Sequence, residues 1–316
     1  MQFRTQIPIS QSNHSIDYNV KMVSLGSCFA ENISAKLDHY QFQNYCNPFG
    51  IIFNPSSIEA LIDRVTTNKY FTEKDIFFHN QHWHCFELHS QLSNPNKEAF
   101  LLAINGLIDN TRQKIEQASH IIITYGTAWI YRLRESQAIV ANCHKVPQRE
   151  FDKELLSVSS IQESISNTIA MVRSINPLVN FIFTISPVRH IKDGFVQNQL
   201  SKSHLFSALH EVLGSDDVLL NYFPSYEIMM DELRDYRFYK EDMLHPNQVA
   251  IDYIWERFVD ATVSLSAKET MIEIDSIQKS LQHRSFNPNS DSHQKFEAKL
   301  KAKIAKMVLQ YSFMKF

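Results

Sequence analysis

The chain has 316 residues, 44% of them hydrophobic and 21% charged, with a formal charge of −3. That supplies a core for one large domain or two small ones, and the weak net charge argues against strong nucleic-acid binding by the chain as a whole. No segment approaches the roughly 18 apolar residues that a membrane-spanning helix needs.

The opening residues Met1-Gln2-Phe3-Arg4-Thr5-Gln6-Ile7-Pro8 lack the apolar stretch of a secretory signal. Cys28, Cys46, Cys85 and Cys143 are scattered, without the paired spacing of a metal site. They read as free thiols, and a cytoplasmic location is expected. Glycine is scarce, with 6 in the whole chain against a usual share of about 7%, so each one points to a place where a side chain is not tolerated.

Residues 21–25 form a short apolar run that predicts a buried strand. A helix follows with Ile33, Leu37 and Tyr40 on one face. Helices are predicted over 56–66 and 97–117, the second weakened by Gly106. Between 70 and 95, Phe77-Phe78-His79-Asn80-Gln81-His82-Trp83-His84-Cys85-Phe86 is aromatic and alternating, the pattern of an inserted strand or hairpin. Strands are predicted at 120–125, 180–185 and 217–222. Helices fall near 160–175, 200–213 and 247–260, the last with Pro246 in its first turn. This alternation predicts a parallel α/β sheet. Gly26, Gly50 and Gly126 then lie in or after segments that look like strand ends, where open sheets bind ligands.

Residues 261–316 carry nine Lys/Arg and five Asp/Glu, a net of +4, which leaves −7 for residues 1–260. Residues 282–294 are polar and loop-like. A final helix places Phe296, Leu300, Ile304, Val308 and Tyr311 on one stripe, with Lys299, Lys303 and Lys306 around it. Such a helix packs on its own body or on a second copy of the chain, in a homo-oligomer; a basic amphipathic helix on a membrane is the alternative. The expected organisation is an α/β body over 1–262 and a helical extension over 263–316.

Three residues carry the leading chemistry. Ser27 follows the first strand at the mouth of a helix, and Asp242 and His245 precede the last helix of the sheet. A serine hydroxyl becomes a nucleophile when an imidazole takes its proton and a carboxylate orients that imidazole. Cys28 is a second nucleophile candidate at the helix start, or a small buried residue. His79, His82, His84 and His89 invite a metal reading, but on a strand His82 and His84 share one face while Cys85 and His89 share the other, which favours the rim of a binding cleft. Arg189 follows the strand at 180–185, where it pairs with a ligand carboxylate or phosphate, or holds its loop through backbone carbonyls or Asp193. His190 is a reserve imidazole.

The run Gly26-Ser27-Cys28-Phe29-Ala30 resembles the signature of the GSCFA-domain family, whose fold is related to the SGNH (GDSL-type) esterases. The resemblance extends through Asn47-Pro48-Phe49-Gly50, Trp83-His84, His89-Ser90, Tyr125-Gly126-Thr127-Ala128-Trp129, Asn142-Cys143-His144-Lys145, Ser186-Pro187-Val188-Arg189-His190 and Tyr222-Phe223-Pro224-Ser225-Tyr226-Glu227, ending on Glu241-Asp242-Met243-Leu244-His245-Pro246. It implies a three-layer α/β/α, flavodoxin-like fold and a serine O-acyl esterase or acyltransferase acting on a small-molecule or glycan acyl ester. Ser27 would be the nucleophile, Asp242 and His245 its partners, and Gly50 an oxyanion-hole N–H; neither metal nor organic cofactor is called for. The pattern also wants an asparagine where Ala128 stands, so Asn142, and after it His89, are the expected substitute donors. A module of the same fold that binds a glycan or a protein without catalysis is the alternative.

Overall fold

The computed structural model of the chain describes residues 5–283, 286 and 290–316. In chain order the elements are β1 (Lys21–Gly26), α1 (Cys28–His39), β2 (Gln43–Cys46), α2 (Pro55–Thr67), β3 (Phe77–His79), β4 (His82–His84), α3 (Lys97–Gln117), β5 (His120–Tyr125), β6 (Trp129–Leu133), β7 (Ile139–Val140), β8 (Phe151–Leu155), α4 (Val158–Ile175), β9 (Asn180–Ile185), α5 (Phe195–Leu213), β10 (Leu220–Tyr222), the single turn α6 (Ser225–Glu227), α7 (Gln248–Thr262), α8 (Leu265–Gln282) and α9 (Asp291–Gln310).

Five strands form one parallel sheet in the order β10-β9-β5-β1-β2. Counted along the chain this is the flavodoxin-like order 2-1-3-4-5. Strand side chains alternate between two apolar layers, as the period of two requires. Val23, Leu25, Ile121, Ile123, Phe181 and Phe183 face the layer made with α2 to α5. Met22, Ile122 and Ile182 face the layer made with α1, α7 and α8. The architecture is therefore α/β/α, with the sheet buried on both faces. A three-stranded antiparallel sheet, β7-β6-β8, and the hairpin β3-β4 flank it.

Several expected boundaries move. Helix α3 runs unbroken through Gly106, where an added Cβ would meet nothing within 4 Å. Strand β10 is shorter than 217–222 because Asp217 binds Arg173 and accepts the Leu219 N–H. Asn247 caps α7, which leaves Pro246 before the helix rather than in its first turn. Of the polar stretch 282–294, residues 284, 285 and 287–289 lie outside the described residues, Gln282 ends α8, and α9 already begins at Asp291. On α9 the fully buried side chain is Met307, with Leu300, Ile304 and Tyr311 partly buried beside it, while Val308 is exposed. Helix α8 packs on the body, where Gln278 donates to the His39 carbonyl at 3.2 Å.

Candidate active site

The sheet order reverses between β1 and β5, and the crevice at their C-terminal ends is where open α/β sheets hold ligands. Gly26 closes β1 with φ +132°, and a Cβ there would lie 2.2 Å from the Thr124 carbonyl oxygen of β5. Only glycine fits so close to a neighbouring strand. The next residue, Ser27, is the N-cap of α1 and 1% exposed; its Oγ accepts the Phe29 N–H at 3.2 Å. That bond uses an oxygen lone pair and leaves the hydroxyl proton uncommitted.

The segment before α7 supplies the other partners. His245 Nδ1 donates to Asp242 Oδ2 at 2.6 Å, while Asp242 Oδ1 accepts the N–H groups of Leu244 and His245 at 2.8 and 3.0 Å. The His245 and Leu244 N–H groups, then the imidazole, hold the Asp242 carboxyl down at about 2. With Nδ1 protonated, Nε2 of the neutral ring carries the lone pair a general base needs. Arg189 pins this segment by donating to the Met243 carbonyl, with its guanidinium 4.6 Å from the Tyr239 ring centre. Of its two expected roles the structure provides the loop anchor; Asp193 pairs with Lys153 instead.

The segment lies at the serine's end of the sheet. Lys240, whose N–H donates to the His245 carbonyl at 2.8 Å, is close enough to act on the Cys28 thiol. His190 in turn feels Lys202 and His245. No hydrogen bond joins Ser27 to His245 among the described residues.

Oxyanion donors are less ready. The Ser27 N–H donates to the Thr124 carbonyl at 3.1 Å and the Gly50 N–H to the Asn47 carbonyl at 2.8 Å. Gly50 has φ +79°, and a Cβ would sit 2.2 Å from the Cβ of His89. Ala128 is fully buried, its N–H taken by Ser201 Oγ at 2.7 Å. Asn142 Oδ1 accepts the His144 N–H at 2.9 Å, and the residue lines a polar pocket that Ser27 does not line. His89 accepts the Gln91 N–H through Nδ1 at 3.4 Å.

A model of the GSCFA family matches residues 21–258, and one of the GSCFA C-terminal domain matches residues 274–316. The chain belongs to the GSCFA family. A solved carbohydrate esterase family 3 structure from Talaromyces cellulolyticus superposes with a TM-score of 0.36 and 8% identity, over 81% of this chain and 99% of that one. A search of curated proteins found no match.

Other groups at the edge of this GSCFA chain differ from expectation. Burial raises the Cys28 thiol instead of activating it. His190 stacks on Phe53 at 5.3 Å, and burial, then Lys202 and His245, push it down to about 3 with Nε2 unpartnered. Lys202 is a residue that sequence reasoning missed. It is fully buried, donates to the carbonyls of Gly126 and Ser186 at 2.7 and 2.8 Å, and is pushed down to about 7 by burial. It ties the ends of β5 and β9 together beneath the site. Its signal was positional: Asn198, Lys202, Leu205 and Leu209 share the buried stripe of α5.

Proposed function

We infer that the chain is an O-acyl esterase or acyltransferase of the serine type. Ser27 attacks the acyl carbonyl, His245 Nε2 takes the hydroxyl proton, and Asp242 holds the imidazole and stabilises it once charged. The tetrahedral intermediate collapses by expelling the alcohol, which receives the proton from His245; water or an acceptor hydroxyl then releases the acyl group from Ser27. The observation that supports the reading is the Asp242–His245 pair, bonded at 2.6 Å with Nε2 unbonded among the described residues; its approach to the buried Ser27 is part of the proposal. The positive end of α1 favours the developing oxyanion. The N–H groups of Ser27 and Gly50 serve as donors on exchanging their internal carbonyls for the substrate oxygen. The family resemblance makes a carbohydrate O-acyl group the proposed substrate.

The second reading, a glycan- or protein-binding module without turnover, is favoured by one observation. The two backbone donors are internally bonded and Ala128 supplies no side-chain donor, and one lost oxyanion donor costs about 2.7–4 kcal/mol of transition-state stabilisation. Hydrolysis assays on short- and long-chain acyl esters and on acetylated sugars separate the readings. The esterase reading expects turnover that Ser27→Ala abolishes, with a stability loss of only about 1 kcal/mol from the missing helix cap. No turnover on any of these esters, or turnover that survives Ser27→Ala, contradicts it.

A further inference from the structure

Beside the serine edge lies a cavity of about 380 Å³, within the range of about 300–1,000 Å³ usual for ligand sites. Every side chain lining it is polar, none is a carboxylate, and neither Ser27 nor His245 takes part. Its inner wall is His144, 4% exposed. The Nε2 of His144 lies 2.7 Å from the Cys85 carbonyl, which can only accept, so Nε2 carries the proton and Nδ1 is a bare acceptor. That Nδ1 is buried and, among the described residues, has no hydrogen-bond partner. A buried acceptor without a donor is costly in a folded protein and calls for one.

The rest of the cavity narrows what the donor belongs to. His84 has both nitrogens engaged, Nε2 on the His79 carbonyl at 2.9 Å and Nδ1 on Ser93 Oγ at 2.6 Å. It cannot ligate a metal without losing them, and among the described residues no group of three His, Cys, Asp or Glu is placed to hold one. A phosphate or carboxylate would find one lysine in the lining, Lys145, but would bring lone pairs against the lone pair of His144. Asn142, with Oδ1 turned to its own loop, leaves its Nδ2 as a donor, and exposed Ser90 offers both a donor and an acceptor. His144 and Lys145 hold left-handed backbone, φ +48° and +60°, and so does Asn80 at +46°; such strain in residues other than glycine gathers where binding groups must be aimed.

We propose that this pocket is the binding subsite for a polyhydroxylated ligand of the sugar class, one hydroxyl of which donates to His144 Nδ1. Hydroxyl groups both donate and accept, which suits a lining that sets the donors Asn142 Nδ2 and Lys145 beside the acceptor His144 Nδ1. The subsite adjoins the serine edge through the turn in which His89 packs on Gly50, so it deepens the esterase reading and rests on it for the link to turnover. Binding itself does not depend on Ser27.

The test is saturation-transfer NMR of the full-length chain with N-acetylglucosamine, xylobiose and galacturonic acid as probes. The expected result is transfer to at least one sugar, retained in Ser27→Ala, abolished by Ser90→Trp at the exposed rim, and weakened roughly tenfold or more by His144→Phe. Ser90→Trp keeps the test decisive should His144→Phe fail to fold. No transfer to any of the three sugars, or transfer unchanged by Ser90→Trp, overturns the proposal. Sugar binding without ester turnover upholds the subsite while removing the esterase reading.

Discussion

The serine edge and the histidine pocket are neighbours whose hydrogen-bonding groups are filled to different degrees. At the serine edge the nucleophile and the oxyanion donors have internal partners, Ser27 Oγ with Phe29 and the Ser27 and Gly50 N–H groups with carbonyls, and Asp242 holds His245 through Nδ1, whereas Nε2 of the buried His190 has none among the described residues. In the pocket the deepest acceptor, His144 Nδ1, has none. A satisfied site must exchange bonds to react, which suits groups that act on a transition state. An unsatisfied site is completed by a ligand in its ground state. On the proposed readings, the difference separates chemistry from recognition.

The sharpest way to break that separation is Asp242→Asn. The amide no longer stabilises the imidazolium, so turnover should fall roughly 10³–10⁴-fold while sugar binding at the pocket is unchanged. Parallel losses in kinetics and NMR binding would show the two regions to be one site. Gly50→Ala tests the joint between them. With φ +79° and a Cβ aimed 2.2 Å from His89, the substitution should cost at least about 2 kcal/mol in denaturant unfolding and impair both functions. A well-tolerated alanine would show that the joint carries no constraint.

A smaller effect comes from acid. His144 and His190 stay neutral in the fold down to about 4 and about 3, whereas unfolded imidazoles take up protons near 6.5. Between those limits the unfolded state binds more protons, so stability falls as pH falls from about 6.5 to about 4. The slope is about 1.4 kcal/mol per pH unit for each fully titrating imidazole. Denaturant titrations across this window should show the loss, and His144→Phe should reduce the slope without touching the share from His190. Stability flat with pH would contradict the burial assigned to both rings.

Much of the fold was legible because parallel strands buried on both faces read as apolar runs: Ile121-Ile122-Ile123 and Phe181-Ile182-Phe183 leave little choice. The antiparallel flank was not. Strands β6 and β8 are joined by ion pairs such as Arg132–Glu154 at 2.6 Å across half-exposed faces, so no apolar period marks them. The Asp242–His245 pair was legible from spacing. The internal bonds of the Ser27 and Gly50 N–H groups were not, since backbone partners leave no trace in side-chain identity. The pocket was half legible: His82 and His84 share a face as strand alternation requires, but His144 reaches them from a distant loop.

The account turns on whether Ser27 is activated by His245. Labelling with a serine-directed fluorophosphonate, followed by peptide mass mapping, measures this without knowing the substrate. The account predicts one adduct, on Ser27, formed at a rate that His245→Ala lowers by orders of magnitude with the fold intact. An unlabelled Ser27, or labelling indifferent to His245, would contradict it.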